Sequence, residues 1–101
     1  MGVPGTSFAY VTVYDSVVAQ NKDVGVYADN FGRVKIFHSV VSDNGYGIQA
    51  LPGGLMELAQ SMVRGIDYAY DQEPGGVIYT YGDNYIWLGA NIGQLTPFAK
   101  Q

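Results

Sequence analysis

His38 is the single histidine of the chain, so any acid–base chemistry near neutral pH starts there. A general base needs its imidazole held in one orientation, and Asp15 recurs at the spacing that would bring a carboxylate beside it. No serine, cysteine or third acid is forced next to the two, so the pair reads as a surface hydrogen bond. One histidine and one aspartate are also too few ligands for a transition-metal site. Lys35 and Glu57 form a second pair, and an acid facing a base reads as a cross-strand ion pair rather than a glycosidase carboxylate pair. Asp29, Asp71 and Glu73 offer the oxygens calcium prefers, but Asp29 and Glu73 fall two rungs apart, about 10 Å. They read as a solvated acidic edge. The aromatic residues Tyr14, Phe37 and Tyr81 recur at equivalent positions, with Ala59 as the gap in their row. Such a row packs on itself, binds a protein surface or stacks on sugar rings, so these three are the candidate ligand- or partner-binding residues. The expectation is no catalytic residue, no metal and no cofactor.

These residues meet only if the chain coils. The stretch 32–54, GRVKIFHSVVSDNGYGIQALPGG, sets a period of about 22 residues, the mark of a solenoid. Val34 and Ile36 flank Lys35, Val41 follows, and Ile48 and Ala50 flank Gln49: three short runs separated by corners. Copies cover 9–32, 55–76 and the residues from 77 onward. Inward columns follow: Val11/Val34/Met56/Ile78, Val13/Ile36/Leu58/Thr80, Val18/Val41/Val63/Tyr85 and Val26/Ile48/Tyr70. Outward, Thr12/Lys35/Glu57/Tyr79 and Asp15/His38/Gln60/Gly82 align. Lys22 and Asp23 look like a one-residue insertion in the first copy.

Leu55 to Gly65 is rich in helix formers, but its register with two Val-rich copies overrides propensity. Corners recur at Gly53-Gly54 and Gly75-Gly76, and at Ser16, Ser39, Ser61 and Asp83. Asn21 and Asn44 share a corner column, where asparagine tolerates a left-handed backbone and its amide can bond along the stack. Ile66 and Ala69 replace Asn44 and Gly47 in the third copy, which predicts a distorted C-terminal coil.

The predicted fold is all-β: a short right-handed parallel β-helix of about four coils with a C-terminal capping tail. Residues 1–8 form an N-terminal edge or cap, 9–90 the coils and 91–101 a C-terminal cap, all one domain. Trp87, Leu88, Ile92 and Phe98 would cover the last rung, with Pro97 breaking pairing.

Composition narrows the partners. A net charge of −4 with five basic residues argues against nucleic acid and against an anionic membrane. The chain has no cysteine, signal peptide or apolar run long enough to span a bilayer, leaving the cytoplasm as the default location.

The runs SVVSDNGYGIQALPGG and PGGVIYTYGDN resemble the C-terminal coils of bacterial right-handed β-helix proteins of the pectate-lyase-like superfamily. The resemblance covers roughly residues 9–97. It implies the fold and a carbohydrate-active or structural context, since the pattern occurs in enzymes and non-enzymes alike. Family members have many more coils, and this chain corresponds to the last four. The expected function is a non-enzymatic structural or interaction module that self-associates, most simply as a two-fold homodimer. The alternative is a carbohydrate-binding module or a degenerate polysaccharide lyase or hydrolase relative.

Overall fold

Alternating apolar residues on stacked copies should produce buried columns, and they do. The computed structural model describes residues 2–3, 9–29, 32–86 and 91–97. In chain order its strands are β1 (Gly2–Val3), β2 (Ala9–Tyr14), β3 (Val17–Ala19), β4 (Val24–Ala28), β5 (Gly32–Phe37) and β6 (Val40–Ala50). They continue with β7 (Leu55–Ala59), β8 (Met62–Gln72), β9 (Val77–Thr80), β10 (Tyr85–Ile86) and β11 (Thr96–Pro97). All pairings are parallel. One sheet runs β2-β5-β7-β9-β11; the other runs β1-β4-β6-β8-β10, with β3 also on β6. Among the described residues there is no helix; 55–65 forms β7, a corner at Gln60 and Ser61, and the start of β8.

The result is a β-solenoid of about three turns, not four. The fourth copy supplies β9, the two-residue β10 and one isolated bridge, Asp71 to Ile92, which is less than a coil. Within the second and third turns, β6 and β8 each run through the second corner without a break, joining two of the three expected strands. The first copy keeps β3 and β4 apart. Its inserted residue shows as a change of register, from Val18 opposite Val41 to Val24 opposite Tyr46.

Three of the four inward columns are as expected. Val11, Val34, Met56 and Ile78 stack in one, and Val13, Ile36, Leu58 and Thr80 in the next. Val26, Ile48 and Tyr70 make the third. Val34, Ile36, Val41, Ile48, Met56, Leu58, Val63 and Ile78 lose all solvent contact, each side chain contributing about 1.5–3 kcal/mol. The fourth column needs correction: Ile86, not Tyr85, lies opposite Val63, and Tyr85 is exposed.

Two corners also differ. Asn21 and Asn44 do bond along the stack, but the left-handed residues are those before them, Gln20 (φ 61°) and Asp43 (φ 58°). In the third turn Gly65 rather than Ile66 meets Asn44, the register shifts on both sides, and Ile66 bulges into solvent. The predicted distortion is real and is carried by that bulge.

At the two ends, β1 lies on β4 and β11 on β9. Thr96 and Pro97 pair with Tyr79 and Thr80, so Pro97 stands in a strand rather than interrupting pairing. Trp87, Leu88 and Phe98 lie outside the described residues.

Candidate functional site

The outward face of β2, β5, β7 and β9 gathers most of the residues singled out from the sequence. Parallel register puts Thr12, Lys35, Glu57 and Tyr79 in one column, and Tyr14, Phe37 and Ala59 in the next. The Tyr81 N–H donates to the Leu58 carbonyl at 3.1 Å, continuing that second column. Tyr14 is exposed, Phe37 and Tyr81 half-buried, and Ala59 is covered between them.

Lys35 Nζ stands 3.9 Å from Glu57 Oε2. The lysine is more than half exposed, so solvent screening leaves the pair little stabilising value. Tyr81 has its phenol pKa raised, first by burial and then by the charge and hydrogen bond of Glu57. Glu57 thus accepts from Tyr81 and faces Lys35. It is engaged on both sides, and among the described residues no second carboxylate joins it on this face, which does not make a glycosidase pair.

Sequence reasoning missed two residues here. Tyr10 and Arg33 sit one outward step before Thr12 and Lys35, and the Arg33 guanidinium lies 6.0 Å from the centre of the Tyr10 ring. With Thr12, Lys35, Leu55 and Glu57 they border a groove of about 300 Å³. The signal was available: period-2 alternation from Tyr14 back through Thr12 leads to Tyr10.

Asp15 and His38 do meet. Both have left-handed backbones (φ 50° and 51°) at the corner after the first sheet, and His38 Nδ1 touches Asp15 Oδ1. The Tyr14 ring lies 6.3 Å away. A nucleophile would have to come from Ser16 or Ser39. Ser16 Oγ donates to the Tyr14 carbonyl, while Ser39 Oγ donates to the Phe37 carbonyl and accepts from the Ser16 N–H. Both hydroxyls belong to a structural ladder. It continues with the Ser39 N–H on Ser61 Oγ and the Ser61 N–H on Asn84 Oδ1. Asn84, not Asp83, is its fourth member; Asp83 accepts instead from the Gln60 N–H.

On the second sheet, Tyr46 and Tyr68 stack with ring centres 4.9 Å apart, a pair that the repeat implied and that was not singled out. Burial raises the Tyr46 phenol pKa, helped by Tyr68, Asp71, Asp67 and Glu73. Asp71 is 3% exposed, so it is no solvated edge. Its Oδ2 accepts from Gln49 Nε2 at 2.9 Å, and no ordinary donor reaches Oδ1. Glu73 lies beside Asp71, and its pKa is raised first by a hydrogen bond to Asp71, then by the Asp71 charge, then by desolvation. A proton shared between the two carboxyls is favoured over two like charges side by side. Among the described residues, no three His, Cys, Asp or Glu side chains are grouped to hold a metal ion.

This pair has a testable pH signature. Because Glu73 binds its proton more tightly folded than unfolded, its stabilisation is complete below the ordinary glutamate pKa and fades as pH rises through the raised value. Glu73→Gln keeps a donor at every pH. The variant is expected to match the wild type at about pH 4 and to melt higher at about pH 8, as read by circular dichroism. Equal melting temperatures across that range would refute the shared proton.

Comparison with protein-family models gives no match, and comparisons with curated proteins and with solved structures give none either.

Proposed function

We propose that the chain is a non-enzymatic interaction module that self-associates through the N-terminal end of its stack. The supporting observation is strand β2, which ends its sheet with β5 on one side and no described strand on the other. Val11 and Val18, inward residues of that first turn, are only half-buried, whereas their stacked partners Val34 and Val41 are fully buried. Tyr10, Tyr14 and Val17 stand exposed beside them. An open edge flanked by apolar side chains is the surface that pairs with another chain. The Asp15–His38 pair and Glu57 lack the partners catalysis needs, which supports the non-enzymatic part of the reading. Within the same reading we place the chain near the pectate-lyase-like β-helices, on the two sequence runs alone.

Sedimentation over about 1 to 100 micromolar protein tests it, since association must follow concentration. A species heavier than one chain is expected. A stable monomer throughout would remove the proposal.

The groove bordered by Tyr10, Arg33, Lys35 and Glu57 favours a second reading, carbohydrate binding, because it pairs an aromatic wall with polar groups. A glycan array separates the two. Binding that disappears in Tyr10→Ala and Lys35→Ala, in a protein that stays monomeric, would favour the sugar.

A further inference from the structure

The two ends of the stack are finished differently, and this decides what kind of assembly the open end can make. Just after β2, the Asp15 N–H donates to the Phe37 carbonyl at the end of β5. Backbone groups alternate sides along a strand, so the N–H and C=O of Tyr10, Thr12 and Tyr14 point away from β5. That edge carries neither a charge nor a proline in Ala9–Tyr14, the two devices that commonly block pairing.

The other end carries such devices. The Val77 and Tyr81 N–H groups of the β9 region donate upward to Gly54 and Leu58, so Ile78 and Thr80 face downward. The Ile78 N–H is taken by Gln72 Oε1. Pro97 pairs in register with Thr80, which turns its missing N–H to the outer side of β11. Side chains close several further donors near this end. Asp83 accepts from the Gln60 N–H, Asn84 from the Ser61 N–H, and Asn91 from both the Ala69 and Tyr70 N–H groups. Among the described residues, this end carries a proline and several polar side-chain caps, whereas β2 has no proline and a single cap, Ser16 Oγ on the Tyr14 carbonyl.

We infer that the partner of the β2 edge is the β2 edge of a second copy, giving a closed antiparallel pair rather than a filament. This rests on the self-association proposed above. A head-to-tail contact would have to dock β2 onto the capped end, whereas a two-fold axis brings two open edges together. With the axis at Thr12, the outward-pointing backbone groups of Tyr10, Thr12 and Tyr14 meet those of Tyr14, Thr12 and Tyr10 in the partner. Tyr10 then faces the partner's Tyr14, an aromatic cross-strand pair, and no like charges are opposed along the strand. The half-buried Val11 then lies beside Val13 of the partner copy, and Val13 beside its Val11.

The chain has no cysteine, so Thr12→Cys introduces a single reporter. Directly opposed residues in such a pair lie about 5.5 Å apart between Cα atoms, within disulfide reach. Mild oxidation is expected to convert Thr12→Cys almost wholly to a covalent dimer, while Tyr85→Cys, exposed near the capped end, stays largely uncrosslinked. Thr12→Pro removes only an N–H that β5 does not use, and Thr12→Lys opposes two like charges. Both are expected to be monomers with the wild-type circular dichroism spectrum, and Thr12→Lys keeps the test valid should the proline variant fail to fold. Wild-type sedimentation should stop at the dimer. Species that keep growing with concentration would overturn the closed pair and leave self-association standing. A monomer would overturn both, and a dimer insensitive to Thr12→Lys would overturn the assignment to β2.

Discussion

Asn44→Leu is expected to destabilise the protein by about 4 kcal/mol, although leucine has similar volume and the position has no solvent contact. The cost comes from the hydrogen bonds one amide makes. Asn44 Oδ1 accepts from the Asn21 N–H at 2.9 Å and from Asn21 Nδ2 at 2.8 Å. Asn44 Nδ2 donates to the Val18 carbonyl at 3.1 Å and the Ser42 carbonyl at 2.9 Å. The side chain therefore joins the second corners of two turns, in place of backbone bonds that the corner cannot make. Leucine leaves the Asn21 N–H and the Val18 carbonyl without it, and each lost partner costs about 1–3 kcal/mol where water does not replace it. For a domain of this size that is a fall in melting temperature on the order of 20 °C. Asn21→Ala, at a half-exposed position, should cost about 1 kcal/mol, because water reaches its site. The double variant should then cost less than the sum, since the Asn21–Asn44 bond is lost in both. A loss below about 1 kcal/mol for Asn44→Leu in urea titration would mean the corner holds itself without the amide.

The sequence showed this column but not its geometry, and the difference is instructive. Stacked apolar residues on β2, β5, β7 and β9 were legible because alternation and period act together: one fixes the face, the other the neighbour. Corners obey neither rule as strictly. Asn21 and Asn44 were assigned the left-handed backbone that Gln20 and Asp43 adopt, because asparagine commonly takes both roles. The amide could not bond along the stack and also turn the chain. At the last turn, a fixed step put Asp83 under Ser61 and Tyr85 under Val63. The structure has one more residue after Gly82, so Asn84 and Ile86 take those places. Asp83 and Asn84 can both accept from a corner N–H, and composition alone does not choose between them. On the outward face, Tyr14, Phe37, Lys35 and Glu57 fell where the repeat placed them. Tyr10 and Arg33 were passed over because a groove is a property of three strands together. A cap was expected at the C-terminal end from its apolar residues and proline; the side-chain hydrogen bonds from Asp83, Asn84 and Asn91 near that end are what no spacing reveals.

Gly54→Ala should cost about 3 kcal/mol or more, and Gly82→Ala only about 1, although the second glycine has the more unusual backbone. Gly53-Gly54 and Gly75-Gly76 look like one repeated feature, yet the two glycines in each pair serve different needs. Gly53 (φ 86°) and Gly75 (φ 87°) follow Pro52 and Pro74. The Gly54 N–H returns to the Leu51 carbonyl at 2.8 Å and that of Gly76 to the Glu73 carbonyl at 2.9 Å. These are type II turns, which need a positive φ at their third residue. Gly54 and Gly76 need space instead. A Cβ at Gly54 would sit 2.1 Å from the Ala28 oxygen, and one at Gly76 would sit 2.4 Å from the Ala50 oxygen. Those oxygens already accept the bonds that tie successive turns, from the Leu51 N–H at 2.9 Å and the Glu73 N–H at 3.0 Å. The methyl group would therefore push on the backbone that sets the spacing of the stack, and no flexible side chain lies there to yield. Gly82 (φ 84°) has nothing within 4 Å of a built Cβ, so alanine there meets only the left-handed penalty, and asparagine should recover part of it. Urea titration of Gly54→Ala, Gly76→Ala and Gly82→Ala separates contact from conformation. Equal losses at all three would mean that backbone freedom, not the close stacking of turns, is what these glycines supply.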